Sequence, residues 1–284
     1  MKPAAFSYEA PATLAAALAA LASRPGEARI IAGGQSLVPM MNMRLAQPAH
    51  LIDINGIEEL AGVRFESGRL AIGALVRHAD LARDPLVTEH CPILARAADS
   101  IGHYAIRQRG TIGGSLAHAD PAAQLALIAR LLDAEMEVAA LDRRRIVPAA
   151  EFFRSIFTTA LEPDELLACV RLPALAAGEG WGFRVLARRA GDFAIASIAV
   201  TLALRPPRAV ERLRVAIGGI GPVPVRIDDA ILREAGDPLE ADWGARIAAR
   251  VSIEEGEDFP IEYRRELVAA LAQDALADAL ERAR

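Results

Sequence analysis

Two short stretches carry most of the chemistry this sequence offers: IAGGQSL at 31–37 and TIGGSLA at 111–117. Each sets two consecutive glycines and a serine between apolar flanks. Glycine tolerates backbone conformations that turn successive N–H groups into one concavity, and it has no Cβ to hold an anion away. The serine adds a hydroxyl donor. Taken alone, either loop reads equally as a tight turn between buried elements. Two loops of matching chemistry, about eighty residues apart, can hold the two phosphates of a dinucleotide from opposite sides, with amides and dipoles neutralising the charge.

Other chemistries lack their residues. Lys2 is the only lysine, and nearly all of the 32 basic residues are arginine. That excludes a Walker-type phosphate loop and a pyridoxal Schiff base. Neither glycine loop reads G-x-G-x-x-G. Cys91 and Cys169 lie far apart in apolar settings, so this chain alone builds no thiolate zinc site, iron–sulfur cluster or disulfide framework. The five histidines, 50, 78, 90, 103 and 118, form no H-x-x-x-H or H-E-x-x-H pair, and no metal site is expected. Ser36 and Ser115 lack the G-x-S-x-G elbow of a hydrolase. No residue is expected to act as a catalytic acid, base or nucleophile. The net charge is −5 and the arginines are scattered. The densest run, Arg143-Arg144-Arg145, reads as a solvated turn between strands, and no nucleic-acid face is expected.

The elements that position the loops follow from periodicity. The 284 residues, 53% hydrophobic, suffice for about two domains. The N-terminal Ala/Leu run imitates a secretory signal, but Glu9 interrupts its approach. Leu14, Leu18 and Leu21 share one helical face, and Pro25-Gly26 stop the helix. That reading places a helix over 11–23 and the protein in the cytoplasm. No apolar run reaches the roughly 20 residues of a membrane span. Strands are predicted at 28–32, 50–54 and 69–74, with helices near 78–84 and 91–100. GTIGGSLAHA reads as a loop or irregular strand. Asp120 reads as the N-cap of a helix over 121–132 with Pro121 at its first position. The RHAD stretch at 77–80 reads likewise, its aspartate a cap. EMEVAAL returns as a strand, and 163–173 reads as an edge strand closed by proline. A composition shift at 174–180 marks a boundary. Beyond it come three strand-like runs joined by short turns, then helices near 241–251 and 261–282. The fold class is α+β.

Three longer stretches closely resemble one known family: AGGQSLVPMMNMRLAQPAHLIDI, IGHYAIRQRGTIGGSLAHADPAAQL and ARRAGDFAIASIAV. They are similar to the FAD-binding medium subunit of molybdenum hydroxylases, which includes the carbon monoxide dehydrogenase medium subunit and the xanthine dehydrogenase flavin part. The resemblance covers essentially the whole chain. It implies a two-subdomain FAD-binding domain of the PCMH/vanillyl-alcohol-oxidase-like type over 1–175, split at about 1–55 and 56–175. A small C-terminal domain of antiparallel sheet and helices follows over 176–284. It implies that Ala32, Gly33, Gly34, Gln35, Ser36 and Leu37 form one wall around the FAD pyrophosphate, and Thr111, Gly113, Gly114 and Ser115 the other. Asp120 is divided between capping and that wall. Phe193 matches a position near the flavin ring, with a core aromatic as the alternative. Arg184 falls near a basic position, and Leu167 near an apolar residue packed on the ring.

Two departures stand out. Gln35 replaces a histidine of several relatives and cannot titrate. Gln124 stands where the pattern has an acidic residue, and a neutral acceptor holds a ribose hydroxyl more weakly than a charged one. No histidine or cysteine lies in a context typical of covalent attachment, so the FAD is expected to be noncovalent. The resemblance further implies a large molybdopterin subunit and a small [2Fe–2S] subunit, assembled as a dimer of heterotrimers. In such a complex this chain passes electrons from the [2Fe–2S] clusters to an external acceptor. A self-sufficient flavin oxidoreductase would differ by turning over alone. A non-catalytic assembly protein of the same fold would differ by holding no reducible flavin.

Overall fold

The computed structural model describes residues 2–205, 209–255 and 259–283. The chain begins with strand β1 (Ser7–Glu9), helix α1 (Leu14–Ala22), β2 (Ala28–Ile31), α2 (Leu37–Asn42) and β3 (His50–Asp53). Both β1 and β2 pair in parallel with β3, giving the order β1-β3-β2. Thr13 caps α1 by accepting from Ala16 N–H at 3.2 Å. Leu14, Ala17, Leu18 and Leu21 bury one helical face over the sheet with Ile52 and Ile54. The three-residue β1 has no sequence signal of its own. Its place comes from pairing, and from Glu9 holding His50 at 2.7 Å.

A 3-10 turn (Glu58–Leu60) leads into β4 (Val63–Glu66) and β5 (Arg69–Gly73). Six helices follow: α3 (His78–Leu81), α4 (Pro85–His90), α5 (Pro92–Asp99), α6 (Tyr104–Arg109), α7 (Ile112–His118) and α8 (Gln124–Leu131). Then come β6 (Glu135–Ala139), β7 (Arg144–Pro148), α9 (Ala149–Phe152), β8 (Phe153–Ser155), β9 (Thr158–Thr159) and β10 (Leu166–Pro173). The five-stranded antiparallel sheet runs β4-β5-β10-β6-β7. The predicted edge strand at 163–173 is therefore central. Its proline is only the last residue, opposite Arg69, so every ladder position before it keeps its N–H. Arg143 lies in the turn before β7, as expected, while Arg144 and Arg145 already belong to the strand.

The last part holds β11 (Gly180–Ala187), β12 (Ala194–Arg205), β13 (Ala209–Gly218) and β14 (Val225–Arg226), an antiparallel sheet in chain order. The connection from β12 to β13 includes residues outside the described ones. Helices α10 (Asp229–Glu234), α11 (Trp243–Arg250) and α12 (Ile261–Arg282) complete the chain. Strand alternation gives this sheet two apolar faces. Ile198, Val200, Val215 and Ile217 pack with Trp243, Val268 and Leu276 on one side. Phe183, Ala199 and Ala216 join α5 and α8 on the other. The helices of the middle segment thus lie between two sheets, which holds the second glycine stretch on a rigid layer. The α+β class with a C-terminal antiparallel sheet stands. Among the described residues, no helix is long and apolar enough to cross a membrane.

Candidate functional site

The first glycine loop joins β2 to α2. Gly34 takes φ +70°, a left-handed conformation that favours glycine. Ser36 sits at the N-cap position of α2 but its side chain makes no capping bond. Carbonyls in this loop are used: Val38 N–H donates to Gly34 and Met40 N–H to Ser36, both at 3.1 Å. The Gln35 side-chain amide turns back and donates to the Gly33 carbonyl at 2.8 Å. The backbone N–H groups are not used. Those of Gly33, Gly34, Gln35 and Ser36 meet no acceptor among the described residues. All four residues are half-buried. Four consecutive unpaired donors are what an anion-binding concavity requires.

The second stretch corrects its expected conformation. Residues 112–118 are helical, because Thr111 caps the turn by accepting from Gly114 N–H at 3.1 Å. Its donors are spent on the protein. Ile112 N–H donates to Val76 at 3.0 Å, Gly113 N–H to Ala74 at 2.9 Å, and Ser115 N–H to Thr111 at 3.0 Å. A Cβ on Gly113 would stand 2.8 Å from the Ala74 Cα, so this glycine permits strand–helix approach. What remains is the Ser115 hydroxyl, half-buried and without a protein partner among the described residues, and the positive end of a short helix.

The fold brings the two stretches into contact. A Cβ on Gly33 would stand 2.2 Å from the Arg109 carbonyl oxygen and 2.8 Å from the Gly110 Cα. The Ala32 Cβ lies 3.9 Å from where a Gly114 Cβ would be. Gly33 therefore packs backbone to backbone on Arg109–Gly110, which sets Ala32–Leu37 beside the start of the second stretch. Unpaired amides on one wall and, among the described residues, unpartnered Ser36 and Ser115 hydroxyls nearby fit a pyrophosphate.

Residues that sequence reasoning did not assign to the site support this arrangement. Asn55 donates to the Ala32 carbonyl at 2.7 Å, and Arg77 donates to Asn55 Oδ1 at 2.7 Å and to the Arg109 carbonyl. His78 lies beneath Gly110, with Nε2 3.0 Å from the Thr111 carbonyl. Burial, with the charges of Arg107 and Arg77, lowers the His78 pKa to about 4 despite that carbonyl, so the imidazole is neutral. Burial pushes the Asp53 carboxyl up. Hydrogen bonds from Asn55 and Tyr8, with the Arg77 charge, outweigh it and hold the group below its ordinary value. The D-x-N spacing of Asp53 and Asn55 is an Asx-turn signal, and it was the one local hint.

The remaining candidates lie on other elements. Asp120 is not a helix cap: α8 begins at Gln124 with Ala123 at the N-cap, and the Asp120 carboxylate accepts from Ala122 N–H at 2.8 Å. Ala119 at φ +51° turns the chain before it, so the three residues after Asp120 form a turn rather than a first helical turn. Asp80 likewise lies inside α3, with Arg77 at the N-cap. Gln124 is buried at the start of α8. Leu167 is buried in the large core on β10. Arg184 is committed to α12, its guanidinium gripping the Asp278 carboxylate with both ends at 2.5 and 2.7 Å. Phe193 is 78% exposed on the β11–β12 hairpin, which excludes the core alternative. That hairpin rests on the middle segment where Gly191 covers the His103 ring, just before α6. His118 stacks on Phe157 with ring centroids 4.8 Å apart. Cys91 is fully buried, and desolvation pushes its thiol up to about 12, so it is unreactive.

Comparison with known proteins accounts for nearly the whole chain. Residues 4–175 match the family model described as the FAD-binding domain in molybdopterin dehydrogenase. Residues 181–279 match the carbon monoxide dehydrogenase flavoprotein C-terminal domain. The chain is 38% identical to the alpha subunit of the 6-hydroxypseudooxynicotine dehydrogenase complex of Paenarthrobacter nicotinovorans, over all of this chain and 97% of that one. Among solved structures, carbon monoxide dehydrogenase from Hydrogenophaga pseudoflava superposes with a TM-score of 0.93 at 35% identity, covering 100% of both chains. Quinoline 2-oxidoreductase from Pseudomonas putida 86 gives 0.91 at 33% identity, covering 99% of each.

Proposed function

Because the chain belongs to the FAD-binding medium subunits of the molybdenum hydroxylases, we propose that it relays electrons within such a complex, from [2Fe–2S] clusters of a small partner subunit to an external acceptor. A large molybdopterin subunit oxidises the substrate, the assembly is a dimer of heterotrimers, and it works in the cytoplasm. The complexes named among the relatives support this reading. The domains divide at 1–175 and 176–284, the first into subdomains of about 1–55 and 56–175.

One observation carries the reading: the four consecutive unpaired amides of Gly33 to Ser36, set against the second glycine stretch. They donate to phosphate oxygens, and their dipoles offset the negative charge in a chain that has no lysine there. The Ser36 and Ser115 hydroxyls add one donor each. Gln35 holds the loop from inside rather than reaching the ligand. Thr111 shapes the opposite wall by capping α7. Gln124, at the start of α8, is the neutral acceptor for a ribose hydroxyl. Exposed Phe193 shields the ring side of the site. Arg184 and Leu167 act behind it, through the sheet and the core, and Asp120 keeps the turn between α7 and α8. Bound noncovalently, the flavin supplies the redox chemistry that no side chain here can provide. The protein supplies binding and orientation.

The test is a visible absorption spectrum of the purified chain before and after adding FAD, followed by substrate reduction with the partner subunits. A flavin band that bleaches only with the partners present is the expected outcome. Bleaching by substrate with this chain alone would replace the relay with a self-sufficient enzyme.

A further inference from the structure

The two walls are tied together behind the glycines by a chain of polar side chains drawn from three elements. Tyr8 on β1 donates to Asp53 Oδ2 at 2.7 Å. Asp53, at the end of β3, accepts on Oδ1 from the Asn55 backbone N–H at 2.8 Å and from its side-chain amide at 2.6 Å. That amide also donates to the Ala32 carbonyl at 2.7 Å. Arg77 then spans the gap: one end of its guanidinium donates to Asn55 Oδ1 at 2.7 Å and the other to the Arg109 carbonyl. The backbone around Arg77 is pinned to the second stretch by His78 N–H on Gly110 at 2.9 Å and Ile112 N–H on Val76 at 3.0 Å.

The two carbonyls at the ends of this chain are significant. A peptide group is planar, so fixing its C=O fixes the direction of the N–H on its other side. The Ala32 carbonyl shares its peptide with the Gly33 N–H, the first unpaired donor of the cradle. The Arg109 carbonyl is the atom that the missing Gly33 Cβ makes room for, 2.2 Å from the Cβ position. The same oxygen is therefore gripped by Arg77 from one side and covered by Gly33 from the other.

We propose that Asn55 and Arg77 form a clasp that sets the separation of the two glycine stretches and aims the Gly33 amide, making both of them positioning residues for the dinucleotide phosphates. This rests on the flavin-binding reading above. Neither residue need touch the ligand. A guanidinium can bridge two acceptors in fixed geometry, whereas a lysine ammonium on a flexible stem cannot hold both at this spacing.

The test uses the full-length chain freed of flavin and titrated with FAD, followed by flavin fluorescence, with thermal unfolding of the flavin-free protein in parallel. Wild type is compared with Arg77→Gln, Arg77→Lys, Asn55→Asp and the Arg77→Gln/Asn55→Asp pair. The Asn55→Asp variant keeps an acceptor for Arg77 but loses the donor to Ala32 and to Asp53, and sets two carboxylates together. Each single substitution is expected to raise the FAD Kd on the order of tenfold or more, with Arg77→Lys giving no rescue. The pair should weaken binding little beyond the worse single variant, because either loss opens the clasp. The flavin-free melting temperature of the Arg77 variants should stay near wild type, while Asn55→Asp lowers it through repulsion with Asp53. Two results would overturn the clasp: a Kd within about twofold of wild type in Arg77→Gln and Asn55→Asp, or a loss of affinity in the Arg77 variants matched by an equal loss of flavin-free stability. Wild-type protein that takes up no FAD would overturn the functional reading itself, and the clasp's role with it.

Discussion

The stretches AGGQSL and TIGGSL look alike in one-letter code and differ in how they use their glycines. In the first, Gly34 takes a positive φ and four successive amides are left without acceptors among the described residues. In the second, a threonine cap turns the same letters into a helix start, and the amides of residues 112–115 are all consumed. The first wall is therefore the donor wall, and the second is a structural buttress with one free hydroxyl. Gly-Gly-Ser offers conformational freedom, and the neighbours decide whether that freedom goes into ligand donors or close packing.

The largest effects should come where a glycine meets backbone. Gly33→Ala would drive a methyl into the Arg109 carbonyl, and Gly113→Ala would press one on Ala74, with no flexible side chain able to yield. Each is expected to destabilise the flavin-free chain by about 3 kcal/mol or more, read by denaturant unfolding. Near wild-type stability for Gly113→Ala would break the buttress assignment.

Next is the histidine beneath the second wall. His78 has a folded pKa near 4 against an ordinary 6.5. Between those values the unfolded chain binds the proton more tightly. Stability is therefore full above about pH 6.5 and falls as pH drops toward 4. The difference between wild type and His78→Gln should change by roughly 3 kcal/mol across that window. Parallel pH profiles for the two proteins would show that His78 does not titrate under the loop.

Smaller is Gly34→Ala, which pays the left-handed backbone cost of roughly 1 kcal/mol in the flavin-free chain and also weakens FAD by distorting the donor wall. The smallest effects separate the hydroxyls. Ser36→Ala and Ser115→Ala should each leave flavin-free stability unchanged and raise the FAD Kd by up to about tenfold. A loss confined to Ser36→Ala would sharpen the contrast into a single donor wall. Losses in both, the expected result, would show the second stretch contributing its one hydroxyl while the amides of the first remain the donor wall.

Local signals were legible wherever neighbouring residues alone set the outcome. The face of α1 follows from Leu14, Leu18 and Leu21, and the long closing helix runs over Ile261–Arg282 as its periodicity indicates. The glycine loops stood out as one site because their composition matched. The three-residue β1 did not, since only its pairing with His50, Leu51 and Ile52 of β3 makes it a strand. The central position of β10 was hidden because a terminal proline looks the same at the end of an edge strand or an interior one. The start of α8 moved three residues, from 121 to Gln124, because Ala119 at positive φ turns the chain first.

By itself the sequence determined the chemistry available: no lysine near the glycines, no cysteine cluster, two small-residue stretches, and a family pattern along the whole chain. Tertiary structure alone decided which stretch keeps its donors open, that Arg184 is taken by Asp278, and that Asn55 and Arg77 meet between the walls. The physical reason is range. Helix periodicity and turn chemistry act over a few residues, whereas the Asn55–Arg77–Arg109 bonds join positions 22 and 32 residues apart, and only the folded sheets bring those within reach of one guanidinium.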